Sequence, residues 1–185
     1  MTNTYPKITL HMVSSLDGII AKRDNSVSWF DSTDHYENGV TEENVVGFMK
    51  TIDCFIMGAR TYLHAEELSV SYGWAYGDVP TVVVSDRALQ VERSNVKVFT
   101  GEMKDLANDL KSRYRSIWLV GGASLAQTFL RLKLVDEIRL SILPVILGDG
   151  IRLFSEVMDE LSLHLKDTTA YKTGMVELCY ECHKS

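Results

Sequence analysis

The chain has 185 residues, 45% of them hydrophobic and 24% charged, with only 3 prolines; that is enough apolar material for one core without disulfide or metal staples, and it excludes a disordered or fibrous protein. A formal net charge of -6 excludes a dedicated nucleic-acid or anionic-membrane surface, which needs clustered Lys and Arg, so any anionic ligand must be met by a few local cations. No run approaches the roughly 18 consecutive apolar residues of a membrane helix, the first residues lack a basic-then-apolar segment, and the three cysteines are an odd number in a chain able to fold unaided. The expectation is one cytoplasmic domain over residues 1–185, with reduced thiols, no metal, and neither nucleic acid nor membrane as a partner.

Apolar residues alternate over 7–14, which predicts a first strand closed by the turn pair Asp17-Gly18. A polar stretch over 22–38 follows. Thr41, with Glu42 and Glu43 behind it, predicts a helix start, and Val45, Val46, Phe48 and Met49 its buried stripe. Beyond it the pattern reads strand 54–57, helix 60–68, strand 81–84, strand 96–99, helix 103–114, strand 117–120 and helix 124–132. Short apolar strands between helices imply a mainly parallel sheet covered on both faces. The end differs: 135–143, 161–171 and 175–182 carry no long helix among them, and Lys172-Thr173-Gly174 suits a hairpin turn, so the last strands are expected to run antiparallel.

Three strand ends share one kind of punctuation: Gly58-Ala-Arg60-Thr61, Ser85-Asp-Arg87 and Gly121-Gly122-Ala123-Ser124. In an open parallel sheet, ligands bind beyond the carboxyl ends of the strands, where helix N-termini aim free amides at anions. Three such turns on one edge suggest an extended, phosphate-bearing ligand. Neither G-x-G-x-x-G nor G-x-x-x-x-G-K-[ST] occurs, so the Rossmann fingerprint and the P-loop do not explain the glycines.

Ser15-Leu-Asp-Gly-Ile-Ile-Ala21, Ile56-Met-Gly-Ala-Arg-Thr-Tyr62, Leu119-Val-Gly-Gly-Ala-Ser-Leu125 and Leu134-Val-Asp-Glu-Ile-Arg-Leu140, with Pro144-Val-Ile-Leu-Gly-Asp-Gly150, give the chain a resemblance to the dihydrofolate-reductase-like family that includes the reductase domain of bifunctional riboflavin biosynthesis enzymes. The resemblance implies a three-layer α/β fold with a mainly parallel mixed sheet and antiparallel C-terminal strands. It also implies NADPH lying across the strand ends and a homodimer. By it, Val13, Ser14 and Ile20 frame the nicotinamide, Gly58, Arg60 and Thr61 meet the diphosphate, and Ser85 and Arg87 lie near the adenosine phosphate. Gly121, Gly122, Ala123, Ser124 and Leu125 cover the diphosphate from the other side, and the two glycines are joined by a cis peptide.

For the chemical step such a protein holds the hydride donor against an acceptor and places a proton source beside the reduced atom. Asp34, five residues after Trp29, stands at the spacing by which dihydrofolate reductases set their pocket acid after a tryptophan; Asp17 is the other carboxylate candidate. Trp29 and Phe48 are candidate pocket walls. The riboflavin-pathway reductases commonly carry an acid before the paired glycines, where this chain has Val120, and the H-x-E and P-C-x-x-C signatures of their fused deaminase are absent. The expected reaction is therefore NADPH-dependent reduction of a C=N or C=O bond in a small heteroaromatic substrate, pteridine- or pyrimidine-like. A riboflavin-pathway ribosylaminopyrimidine reductase and a non-catalytic nucleotide-binding module are the alternatives. Cys179-Tyr-Glu-Cys182-His183 spells the haem-attachment motif, but it closes an alternating strand on which residues three apart point to opposite faces; the two cysteines are read as strand residues.

Overall fold

The computed structural model describes residues 5–41, 47–154 and 160–183. Its first strand, β1 (Lys7–Ser15), is followed by a short β2 (Ile19–Ala21), a 3₁₀ turn (Ser28–Asp31), β3 (Cys54–Gly58) and α1 (Ala59–Tyr72). Then come β4 (Thr81–Val84), β5 (Val96–Phe99), α2 (Met103–Arg113), β6 (Ser116–Gly121) and α3 (Ala123–Arg131). The chain closes with β7 (Glu137–Leu143), β8 (Ile151–Arg152), β9 (Leu163–Ala170) and β10 (Val176–Cys182). Residues 47–49 are helical; the helix start expected behind Thr41, with Glu42, Glu43, Val45 and Val46, lies outside the described residues.

Eight strands form one sheet in the order β5-β4-β3-β6-β1-β7-β10-β9. β1 pairs in parallel with both β6 and β7, β3 with β6 and β4, and β4 with β5. β10 runs antiparallel to its neighbours β7 and β9. The antiparallel pairing expected at the C-terminus is therefore made by β10, inserted between two strands that run with the rest, while β7 joins the parallel block through β1. The hairpin turn expected at 172–174 connects β9 to β10, with Gly174 at φ 77° and Tyr171 N–H donating to Met175 O at 2.8 Å. β2 and β8, each too short to show a period, form a separate two-stranded ladder.

Period-two alternation divides the sheet into two faces. On one, Ile8, Leu10, Ile56, Ile117, Leu119 and Ile138 meet Leu106, Ala107 and Leu110 of α2 and Ala126, Phe129 and Leu130 of α3. The i, i+3, i+4 spacing on each helix is the stripe that packing on a sheet requires, and each fully buried aliphatic side chain contributes about 1.5–3 kcal/mol. On the other face, Phe55, Met57 and Val83 pack against Tyr62 of α1, with Phe48, Trp74 and Trp118 around them. Cys179 and Cys182 lie on opposite faces of β10, as their spacing predicts: Cys182 joins the α2/α3 cluster and Cys179 stands opposite Arg139 of β7.

Candidate active site

The strand order places the carboxyl ends of β4, β3, β6 and β1 side by side, which lines up Ser85, Gly58, Gly121 and Ser14 along one edge. At its centre two helices begin next to each other. Gly58 is the N-cap of α1 and Gly122 the N-cap of α3, and neither N-terminus has a side-chain cap. The first-turn amides of both helices therefore face the edge without an intramolecular side-chain acceptor, the arrangement that attracts an anion. Gly121 and Gly122 are joined by a cis peptide, and Gly121 has φ 112°, a conformation glycine adopts at least cost. A β-carbon on Gly121 would stand 2.9 Å from the Met12 sulfur, whereas one on Gly58 would make only ordinary contacts, 3.8 Å from Gly121 O and 3.9 Å from Gly122 N.

Arg60 and Arg87 are exposed, and no ion pair to either is found among the described residues. Arg23, Arg93, Arg113 and Arg139 are each paired with a carboxylate, whereas the two arginines at the strand ends stay exposed. Thr61 and Ser124 flank the same helix starts, with Ala123 and Leu125 in the first turn of α3; the Thr61 hydroxyl is 3.4 Å from where a Gly122 β-carbon would be. The Ser85 hydroxyl is spent locally: it accepts from Arg87 N–H at 3.1 Å and donates to Arg87 O at 2.9 Å, fixing the loop that presents Arg87. Ser14 and Ile20 are buried and Val13 is half-buried.

The two candidate carboxylates have different surroundings. Asp17 accepts from the Ser15 hydroxyl at 2.6 Å, from Leu147 N–H at 3.1 Å and from Gly148 N–H at 2.7 Å. These donors, the Ser15 hydroxyl first, hold its carboxyl down at about 2. An acid engaged in this way ties the β1–β2 turn to the 147–148 turn, and its lowered carboxyl disfavours it as a proton donor. Asp34 is exposed; its N–H donates to Thr173 O at 2.9 Å, which sets it against the β9–β10 hairpin at the same edge of the sheet. Trp29 is buried, and its indole N–H has no partner among the described residues.

Phe48 lies over the sheet face that carries the odd-numbered residues of β1, edge-on to His11 and tilted against Trp118, with the Arg139 guanidinium 4.9 Å from its ring centroid. Beneath it lies a buried polar cluster that the motif search missed. His11 Nε2 is 3.3 Å from Ser141 Oγ and 3.5 Å from Glu177 Oε2, and Arg139 donates to Glu177 Oε1 at 3.0 Å. Burial first, and Arg139 second, push the His11 pKa down to about 4, so the imidazole is neutral near pH 7. The available signal was the alternation of Glu137, Arg139 and Ser141 along a strand whose other side is apolar.

A family model described as the RibD C-terminal domain matches residues 6–177. The uncharacterized protein YwjB of Bacillus subtilis is 31% identical over 173 residues, covering 89% of this chain and 92% of YwjB. YyaP of the same organism is 30% identical, covering 97% of this chain and 98% of YyaP. Among solved structures, a candidate riboflavin biosynthesis protein from Shewanella sp. PV-4 superposes with a TM-score of 0.82 at 25% identity, over 96% of this chain and 99% of that one. The Thermotoga maritima diaminohydroxyphosphoribosylaminopyrimidine deaminase/reductase gives 0.70 at 18% identity, over 98% of this chain and 58% of its own. Dihydrofolate reductase from Enterococcus faecalis, complexed with NADP(H), gives 0.60 at 12%, over 96% and 97%; these last two are likenesses of fold. With the family model spanning residues 6–177, the chain belongs to the RibD C-terminal domain family and has a dihydrofolate-reductase-like fold.

Proposed function

We propose that the protein is a reductase that uses NADPH to reduce a C=N or C=O bond of a small heteroaromatic substrate, pteridine- or pyrimidine-like. The observation that carries the reading is the order of the strand ends: Ser85 and Arg87 after β4, Gly58 with Arg60 and Thr61 after β3, Gly121 and Gly122 after β6, then Val13 and Ser14 on β1. A dinucleotide laid along this line meets a cation at its adenosine phosphate, two uncapped helix starts at its diphosphate, and the half-buried Val13 at its far end. The open approach to Gly58 and the exposed Arg60 and Arg87, without an ion pair among the described residues, fit such a ligand. When bound, the nicotinamide supplies the hydride.

The chain's own part is to orient the two rings, exclude water and provide a proton. Asp34 is the carboxylate assigned to that proton, delivered directly or through water, and Asp17 holds the loop above the site. Trp29 and Phe48 supply aromatic walls. The reading includes a homodimer, for which the exposed edge strand β9, with Leu163 and Leu165 on its surface, offers a contact, and a cytoplasmic setting that keeps the three buried, free cysteines reduced.

The family match favours a second reading, reduction of a riboflavin-pathway ribosylaminopyrimidine; Val120, where an acid is common, weighs against it. The test is a titration with NADPH followed by turnover on pteridines and on the ribosylaminopyrimidine. NADPH at about 100 times its dissociation constant is expected to add roughly 2.7 kcal/mol of stability. Absence of any thermal shift or binding heat with millimolar NADPH sinks the cofactor assignment. Binding without turnover of any heterocycle leaves a nucleotide-binding module, and turnover of the ribosylaminopyrimidine alone establishes the second reading.

A further inference from the structure

The buried cluster under Phe48 stands in register with the position assigned to the nicotinamide. Val13 of β1 is paired with Ser141 of β7, and Ser141 with Glu177 of β10, so the three side chains form one row on the same face, each about 4.8 Å from the next strand. Ser141 and Glu177 are only 3% and 7% exposed. A carboxylate taken this far from water needs compensation, and it has part of it: Arg139 holds one oxygen at 3.0 Å, and among the described residues the other meets His11 Nε2 alone, at the long distance of 3.5 Å.

The proton inventory leaves the cluster incomplete. His11 is 6% exposed and is clamped between Trp118, stacked at a 5.0 Å centroid distance, and Phe48, edge-on at 5.0 Å. Its Nδ1 is buried without a partner among the described residues. A carboxylate beside Nε2 requires the proton on that nitrogen, because the other tautomer would set a lone pair against a negative charge. With Nε2–H donating, Ser141 Oγ is an acceptor toward His11 and its own hydroxyl proton has no acceptor among the described residues. Ser141 and Glu177 both approach the same nitrogen, so the trio is not a nucleophile–base–acid chain, which would need the acid on Nδ1. In the row next to Val13 the strand register thus sets one hydroxyl beside one carboxylate.

We propose that Ser141 and Glu177 are substrate-positioning residues that read the edge of a heterocycle carrying a carbonyl acceptor beside amino and ring N–H donors, with His11 and Arg139 locking them in place. This rests on the reductase reading above, because it places the substrate ring beside Val13. Ser141 donates to the carbonyl, Glu177 accepts from the amino group, and the ring is thereby held flat against the hydride donor; no proton is consumed.

The test uses the full chain, with and without saturating NADPH, and two probes: 2-amino-4-oxopteridine and 4-oxopteridine, which lacks the amino group. Calorimetry is expected to show the amino compound binding about 10- to 100-fold more tightly, the value of a hydrogen bond to a charged group. Glu177→Gln should erase that difference by weakening the amino compound alone. Ser141→Ala should weaken both probes about 2- to 10-fold, and the dissociation constant for NADPH should not move in either variant. Equal affinity of wild type for the two probes, failure of both to bind, or an equal loss of both in Glu177→Gln overturns the assignment. Should Glu177→Gln fail to fold, the wild-type comparison and Ser141→Ala still decide. Failure of NADPH to bind is read in its own titration and removes the cofactor reading instead.

Discussion

Gly58 and Gly121 face each other across two strand ends, yet they are glycine for different reasons. Gly121 has φ 112°, and a β-carbon there would press on the Met12 sulfur at 2.9 Å; the fold itself demands the absence of a side chain. Gly58 has an ordinary φ of -78° as the N-cap of α1, and its β-carbon would meet nothing closer than 3.8 Å. The folded chain alone does not require glycine at this position, whereas the proposed diphosphate between the two helix starts would. Gly58→Ala is therefore expected to fold with a stability change under about 1 kcal/mol and to bind NADPH at least tenfold more weakly. Gly121→Ala should lose more than about 1–2 kcal/mol of stability by denaturant titration. Unchanged NADPH affinity in a well-folded Gly58→Ala would show that the diphosphate lies elsewhere.

At the scale of elements, the edge is built from two kinds of anion partner. α1 and α3 offer backbone amides at uncapped starts, with Arg60 in the first turn of α1; the loop after β4 offers Arg87, held out by the two hydrogen bonds of Ser85. The diphosphate is common to NADPH and NADH, and the adenosine phosphate is present only in NADPH. Arg87→Ala is thus expected to weaken NADPH about 10- to 100-fold and leave NADH almost unaffected, while Arg60→Ala weakens both. Dissociation constants for the two cofactors against the two variants check this. Equal losses at Arg87 would move the adenosine phosphate away from β4.

For the whole molecule, two buried groups add to the response to acid. His11 is held neutral in the fold, with its pKa lowered to about 4 by burial and by Arg139, against 6.5 in an unfolded chain. Protons are then taken up on unfolding, so the stability it leaves intact above pH 6.5 falls as the pH drops toward 4. Linkage puts the loss at about 2 kcal/mol between about pH 7.5 and pH 5. Glu137 follows at lower pH. Burial would raise its carboxyl, but Lys166 and Lys7, at 2.9 and 3.0 Å, bring it to about 2, so its contribution is present above 4.5 and lost as the pH falls toward 2. Denaturant titrations should show the upper stage in the wild type and not in His11→Phe, which keeps a ring against Trp118 but cannot titrate. A His11→Phe protein with the same slope from pH 7.5 to 5 would mean that another group is responsible.

The sequence by itself determined the elements whose causes are local. The β-branched run Thr81–Val84, the i, i+3, i+4 stripes of α2 and α3, and the glycine punctuation after β3 and β6 all work within a few residues, and the structure places these elements within a residue or so of the reading, α1 running four residues further at its C-terminus. The two strand pieces it did not contain, β2 and β8, are too short to have a period and exist because they pair with each other. The partners of Asp17 were set only by tertiary structure, since two of its three donors come from residues 147 and 148, on the far side of the chain. The same holds for the cluster of His11, Ser141 and Glu177. Those residues sit on three strands with no shared spacing in the chain, and only the register of β1, β7 and β10 brings a neutral imidazole, a hydroxyl and a carboxylate together, where burial makes the partners of each polar group count.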